Sequence, residues 1–218
     1  MRVVTLPGVF RPISDSRLLA ACLRHELRPG ARVADLCTGS GLLAVAAALQ
    51  GAAATAVDVS RRAVLTTRLN ARLNGVSVRA VRGDLLAPLA GERFDVIVSN
   101  PPYVPAETDA TPRGTARAWV GGADGRAVLD RVCEQAPHHL RPGGVLLLVQ
   151  SSVCGERLTL DRLAAGGLQA EVVARRRGPL GPLLSERAQE LERRGLLEPG
   201  RREEELVVVR ARQPGGQG

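Results

Sequence analysis

At 218 residues the chain is long enough for one domain with a sizeable core, or one domain plus appendages. The 44% hydrophobic fraction is that of an ordinary soluble protein, and the net charge of +8 rests on 30 basic residues that are all arginine. These features exclude a secreted or membrane-spanning chain as the starting point: Met1 to Gly8 has no apolar core for a signal peptide, and Leu42 to Val57 is broken by Gln50-Gly51 and falls short of the roughly 20 apolar residues a span needs. The arginines are scattered, with dense runs only at Arg175 to Arg177 and Arg201-Arg202, the latter followed by Glu203 to Glu205. Charge alone therefore establishes no nucleic-acid partner. Cys22, Cys37, Cys133 and Cys154 are widely spaced, without paired metal or redox spacing, and read as reduced thiols of a cytoplasmic protein.

In chain order, residues 1–13 read as an irregular leading segment. Ser14 has the character of an N-cap for a helix running to about Leu27, which Arg28-Pro29-Gly30 ends. Ala31 to Leu36 predicts a strand and Cys37 to Gly41 the turn after it. Leu42 to Leu49 predicts a helix, Ala53 to Val57 a strand ending at Asp58, and Ser60 caps a helix to about Leu73. Ser77 to Val81 and Phe94 to Ser99 predict two further strands, the second running into Asn100-Pro101-Pro102-Tyr103. Val104 to Val120 has loop composition. Asp124 to His139 predicts a helix, Val145 to Val149 a strand, Glu156 to Ala165 a helix and Leu168 to Ala174 a strand. Residues 176–200 read as an insertion with one short helix near Ser185 to Arg193, before a final strand at Leu206 to Ala211 and a disordered tail at 213–218. Alternating strands and helices imply an α/β fold of Rossmann type: a mostly parallel seven-stranded sheet with an antiparallel last strand and helices on both faces. Residues 14–212 form its single domain.

Gly39-Ser40-Gly41 fits a nucleotide-type glycine loop, a weak signal alone. Asp35 just upstream would set a carboxylate against a dinucleotide pyrophosphate, but it suits a cationic ligand. S-adenosyl-L-methionine carries a sulfonium and an ammonium and no phosphate. Asp58 could then accept from both ribose hydroxyls and Asp84 from the adenine amino group. Three acids at successive strand ends favour the methyl donor over a nicotinamide dinucleotide.

With these residues the chain resembles the class I S-adenosylmethionine-dependent methyltransferases, and within them the HemK/PrmC-type family that methylates the glutamine side chain of peptide-chain release factors. The resemblance spans about residues 9–175. It rests on the loop Asp35 to Gly41, on Asp58 and Asp84, on the tetrapeptide Asn100 to Tyr103, on Trp119 to Gly125, and on Pro142 to Gly144. Val9 to Pro12 with Asp15 and Ser16 resembles the family's cofactor lid. Cys37 departs from it, standing where the family commonly has glycine. The resemblance implies a donor site of Phe10, Asp15, Ser16, Asp35, Cys37, Thr38, Gly39, Gly41, Asp58, Val59, Asp84, Leu85 and Asn100. It also implies a catalytic and substrate-binding hook of Asn100, Pro101, Pro102 and Tyr103. No helical domain precedes the fold in this sequence, so it is closer to the short branch, whose members commonly work with a small zinc-binding activator subunit.

A glutamine amide nitrogen is a poor nucleophile because its lone pair is delocalised into the carbonyl. Asn100, through its side-chain oxygen, and the Pro101 carbonyl could accept both N–H bonds of such an amide, with Tyr103 as a flat wall. The same hook suits the exocyclic amino group of adenine, so an N6-adenine or other nucleic-acid methyltransferase is the alternative, with Tyr103 stacking on a flipped base. A donor-binding protein without activity is a third reading, disfavoured by the intact tetrapeptide. His25, His138 and His139 read as non-catalytic, and no metal is expected. The tail tripeptide Gly215-Gly216-Gln217 repeats the motif that release factors present, by chance or as a pseudo-substrate.

Overall fold

The protein is described by a computed structural model covering residues 1–9, 14–107, 116 and 118–215; of Ser14 only the backbone is described. Seven strands form one sheet: β1 (Arg32–Leu36), β2 (Ala53–Asp58), β3 (Val78–Arg82), β4 (Phe94–Ser99), β5 (Leu140–Ser151), β6 (Gln169–Pro179) and β7 (Glu203–Arg212). Their order is β3-β2-β1-β4-β5-β7-β6, with the first five mutually parallel and β7 antiparallel to both neighbours. The order reverses between β1 and β4, and at such a switch point the loops leaving the two carboxyl ends part and open a crevice.

Period-two alternation along the central strands feeds two cores. Val33, Val96, Val98, Val145, Leu147 and Val149 face one way, onto Leu19 and Leu23 of α1 (Ser14–Glu26) and Leu43, Ala44 and Ala47 of α2 (Leu42–Ala48). Ala34, Leu36, Ile97, Leu146 and Leu148 face the other way. They meet Leu129, Val132 and Ala136 of α4 (Ala127–His139) and Leu163 of α5 (Glu156–Ala165). α3 (Arg61–Leu73) packs on β2 and β3, its first turn closed by Ser60, whose hydroxyl accepts from the Ala63 amide. No helix among the described residues is long and apolar enough to cross a membrane.

Several elements differ from the sequence reading. β6 runs to Pro179, absorbing the start of the expected 176–200 insertion, and β7 begins at Glu203, three residues before the expected Leu206. Cross-strand ion pairs lengthen them: Arg177 meets Glu203 at 2.5 Å and Arg175 meets Glu205 at 3.2 Å, while Arg175 also reaches Glu156 at the start of α5 at 2.6 Å. Between them stand two short helices, not one: α6 (Pro182–Glu186) and α7 (Ala188–Arg193), broken at Arg187. α4 begins at Ala127, because Asp124 accepts from the Arg126 amide and makes a turn before the helix. β5 begins early, at Leu140, and carries Arg141 to Gly144 through a register shift opposite Phe94 and Val96, with Gly143 at φ 75°.

Candidate active site

The loop after β1 is wound by three left-handed residues, Cys37 (φ 54°), Gly39 (φ 54°) and Gly41 (φ 79°). Gly41 has no alternative: a Cβ there would lie 2.7 Å from Thr67 Cγ2 on α3. Cys37 holds the same backbone region as an ordinary L residue, which explains why glycine suits that position. The loop hangs on two carboxylates. Asp58 accepts from the Gly39 amide at 3.0 Å and the Ser60 amide at 2.9 Å, one bond per oxygen. Asp35 accepts through Oδ2 from the Thr38 hydroxyl at 2.5 Å and the Ala44 amide in the first turn of α2 at 3.0 Å. Its other oxygen, Oδ1, is buried without a partner in the structure. Burial pushes the Asp35 carboxyl up to about 7, against the pull of its two hydrogen bonds, and pushes Asp58 up in the same direction. Burial and the nearby Asp58 and Asp35 also push the Cys37 thiol up, so it is inert.

Beyond the loop, a cavity of about 960 Å³ runs along the carboxyl ends of the strands. One half is lined by Cys37 to Ser40, Asp58 to Arg61 and Gly83 to Leu85. Leu85 takes a left-handed φ of 47°, and Asp84 pairs with Arg131 of α4 at 2.7 Å. The other half is lined by Trp119 to Gly122, Leu183, Leu184 and Glu204. Asn100 to Tyr103 stand between the halves. Asp35 is not among the lining residues; it acts on the loop from behind, 1% exposed. Asp15 and Ser16 do line the cavity, but their side chains bond to the hook: Asn100 Nδ2 donates to Ser16 Oγ at 3.0 Å, and the Tyr103 hydroxyl donates to Asp15 Oδ2 at 2.9 Å. Burial, then the charge of Asp15, pushes the Tyr103 phenol well up, so it stays a donor. Phe10 and the rest of 10–13 lie outside the described residues.

The segment Trp119 to Gly125 braces the hook from its far side. The Val104 amide donates to the Trp119 carbonyl at 2.8 Å, and the Gly121 amide returns to the Val104 carbonyl at 2.9 Å. A Cβ on Gly121 would meet the Pro102 carbonyl at 2.6 Å, so backbone must pass backbone there. Cys154 Sγ caps the Tyr103 carbonyl at 3.1 Å. Arg126, 4% exposed, fans into the Gly155 carbonyl at 3.1 Å, Asp130 at 2.6 Å and Thr159 at 3.1 Å, which locks the segment onto α5. A further apolar cluster joins Val104 to Leu180, Leu184, Leu191 and Leu197, so α6 and α7 form the outer wall. Sequence reading missed Arg126, Arg131, Cys154 and Glu204. Only the spacing of Arg126 four residues before Asp130 carried a signal.

Gly216 and Gln217 lie outside the described residues. Gln213, just before them, pairs with Gly144 at the amino end of β5, whereas Asn100 follows Ser99, which is in register with Leu148.

A reversed five-stranded parallel core, an antiparallel final strand and a crevice at the switch point define the class I methyltransferase fold. The solved Mtq2-Trm112 complex of E. cuniculi shares it at TM-score 0.65 and 24% identity, over 94% of this chain and 99% of that one. The chain belongs to the methyltransferase small-domain family, whose model matches residues 1–178. A Methanocaldococcus jannaschii protein assigned as a protein N5-glutamine methyltransferase is 36% identical over 82% of this chain and 90% of its own length. The release factor glutamine methyltransferase of Gloeobacter violaceus is 42% identical over 73% of this chain, but only 59% of its own length.

Proposed function

We propose that this enzyme moves a methyl group from S-adenosyl-L-methionine to the side-chain amide nitrogen of a glutamine, that of the Gly-Gly-Gln motif of peptide-chain release factors. The observation that carries the reading is the hook. Asn100 lines the cavity and gives its Nδ2 to Ser16, which leaves the amide oxygen as its acceptor, and a planar NH2 group is the complementary partner. The names of the M. jannaschii and G. violaceus relatives, and the eRF1 methylation in the name of the Mtq2-Trm112 complex, support an amide acceptor.

The donor supplies an electrophilic methyl on a sulfonium, and this chain fits it. The backbone of Thr38 to Gly41 offers close approach to the amino-acid end. Asp58 keeps a lone pair on each oxygen for the ribose hydroxyls, and Asp84 has one oxygen outside its Arg131 pair for the adenine amino group. The unpartnered, buried Asp35 Oδ1 supplies negative charge behind the loop for a cationic ligand. On the acceptor side, Asn100 Oδ1 and the Pro101 carbonyl accept the two amide protons and aim the nitrogen. Positioning of this kind contributes up to about 7–11 kcal/mol in near-attack geometry. Tyr103 closes one side, and the product nitrogen sheds its proton without a dedicated base.

Labelled S-adenosylmethionine offered with release factor, ribosomal RNA and DNA in parallel tests this. Label on the release-factor glutamine is expected; label on nucleic acid alone would replace this reading with the adenine-amino alternative, which Arg61, Arg82 and Arg176 at the cavity rim would serve. A small activator subunit like the partner in the Mtq2-Trm112 complex is a second proposal. β3 is an open sheet edge, and Leu65, Leu69 and Leu73 of α3 beside it are 55%, 40% and 44% exposed. Co-expression with a candidate activator, followed by gel filtration, checks it; two separate peaks would count against it. Cytoplasmic residence belongs with the same proposal, since translation factors are its substrates.

A further inference from the structure

The first turn of α1 aligns with a donor lid, yet its side chains point into hydrogen bonds with the hook. We infer that Ser16 is a positioning residue: it fixes which end of the Asn100 amide faces the acceptor, and Asp15 sets the direction of that choice. This rests on Asn100 being the group that holds the acceptor NH2.

The two ends of an asparagine amide are nearly the same size and opposite in hydrogen-bonding sense. Only Oδ1 toward the cavity is productive, because an NH2 turned there would face the NH2 of the acceptor, donor against donor. Nothing in Asn100 itself selects between the two. The choice is made 84 residues away in sequence. Asp15 has no proton to give in its carboxylate form, and it collects three: the Ser16 amide at 2.6 Å and Ser16 hydroxyl at 3.4 Å on Oδ1, and the Tyr103 hydroxyl at 2.9 Å on Oδ2. With its own proton directed to Asp15, the Ser16 oxygen is left with lone pairs, and it accepts from Asn100 Nδ2 at 3.0 Å. The chain Asn100 to Ser16 to Asp15, with Tyr103 entering from the other side, has one polarity throughout. Turning the amide over would put Asn100 Oδ1 against the Ser16 oxygen and force the hydroxyl to abandon Asp15. Asp15 is 1% and Ser16 6% exposed, so water is poorly placed to substitute for either bond. The same two bonds join both ends of the tetrapeptide, Asn100 and Tyr103, to one helical turn.

Ser16→Ala tests the inference, with Ser16→Thr as the conservative control. For Ser16→Ala, kcat at saturating acceptor should fall about tenfold or more while donor Kd stays within about twofold, because only acceptor alignment is lost. Ser16→Thr, which keeps the hydroxyl, should recover most of that loss. In an Asn100→Asp background both side-chain ends are acceptors, so adding Ser16→Ala should cost little more. An acceptor-independent readout completes the set: the Asn100 side-chain amide protons, observed by NMR in the wild type, should be protected from exchange, and Ser16→Ala should abolish the protection. A Ser16→Ala enzyme with wild-type kcat, a donor Kd that weakens in step with activity, or a Ser16→Thr enzyme as poor as Ser16→Ala would each overturn it. Unprotected Asn100 amide protons in the wild type would do so whatever the acceptor is. Failure of the wild type to label release factor would instead overturn the substrate reading and leave the amide measurement standing.

Discussion

The two halves of the cavity are built by opposite strategies. The donor half is made from strand ends a few residues deep: Cys37 to Ser40 after β1, Asp58 to Ser60 at the end of β2 and Gly83 to Leu85 after β3. Its loop is held by its own backbone amides on Asp58, and its acids stand at the ends of three neighbouring strands. The acceptor half is assembled from distant pieces: the first turn of α1, the hook, Trp119 to Gly122, α6 and the start of β7. A site of the first kind depends on local geometry. One of the second kind depends on tertiary contacts that any of several elements can disturb, so damage to the two halves should separate in the laboratory.

The sharpest separation is Asn100→Ala. With the alignment of the acceptor gone, activity should fall by about 10²–10³-fold, the range for losing one preorganised polar contact at a reacting group. Donor affinity, measured by titration calorimetry, should stay within about threefold, since the donor half keeps all its parts. Loss of both to the same degree would collapse the distinction. Asp58→Ala is the mirror case. It removes a prospective ribose acceptor and frees the Gly39 and Ser60 amides, so donor affinity should weaken about 10- to 100-fold and the thermal midpoint should drop. An unchanged dissociation constant would remove Asp58 from the donor site.

The donor half was legible in the sequence for a physical reason: glycines and acids at strand ends are local features, and their spacing follows from strand and helix lengths. The tetrapeptide was legible too, as a stiff polar stop after a β-branched run. What held it was not. The bonds to Asp15 and Ser16 cross 88 and 84 residues, and Cys154 reaches Tyr103 across 51. No periodicity encodes such pairings. Asp35 shows the limit within the legible half: its type and place mark it as a site acid, yet it braces the loop from behind. The long β6–β7 hairpin escaped because its ends are charged, and Arg177 with Glu203 reads as loop until the two strands are laid side by side.

Asp35 also gives the donor half a pH signature. Its carboxyl sits at about 7 in the folded chain because burial outweighs its hydrogen bonds, against about 3.9 when unfolded. The native state therefore holds an extra proton across that window, and stability from this group is full below about pH 4 and is lost as pH rises through 7. A cationic donor favours the carboxylate, so donor affinity should rise as pH climbs toward about 7, by up to about tenfold per unit, and level off above it. Asp35→Asn should flatten that rise, and a profile as steep as wild type would show that another group governs it.

The smallest effect is expected at Cys37, and it measures how much the loop depends on backbone alone. At φ 54° a non-glycine residue bears a penalty of roughly 1–2 kcal/mol. Glycine would relieve that penalty. Against the gain stand the extra unfolded-state freedom of glycine, about 0.4–1 kcal/mol, and the lost contacts of a side chain packed against the core. These terms nearly cancel, so Cys37→Gly should shift stability by less than about 1 kcal/mol and leave donor affinity unchanged, because the loop already has the glycine-like conformation. Cys37→Val tests the same balance from the other side. A β-branched residue suffers the left-handed penalty more severely, and its larger side chain would crowd the space beside Ser99. Donor affinity and thermal midpoint should then fall together. If Cys37→Val matched wild type in both, the left-handed turn would not be what shapes the donor half.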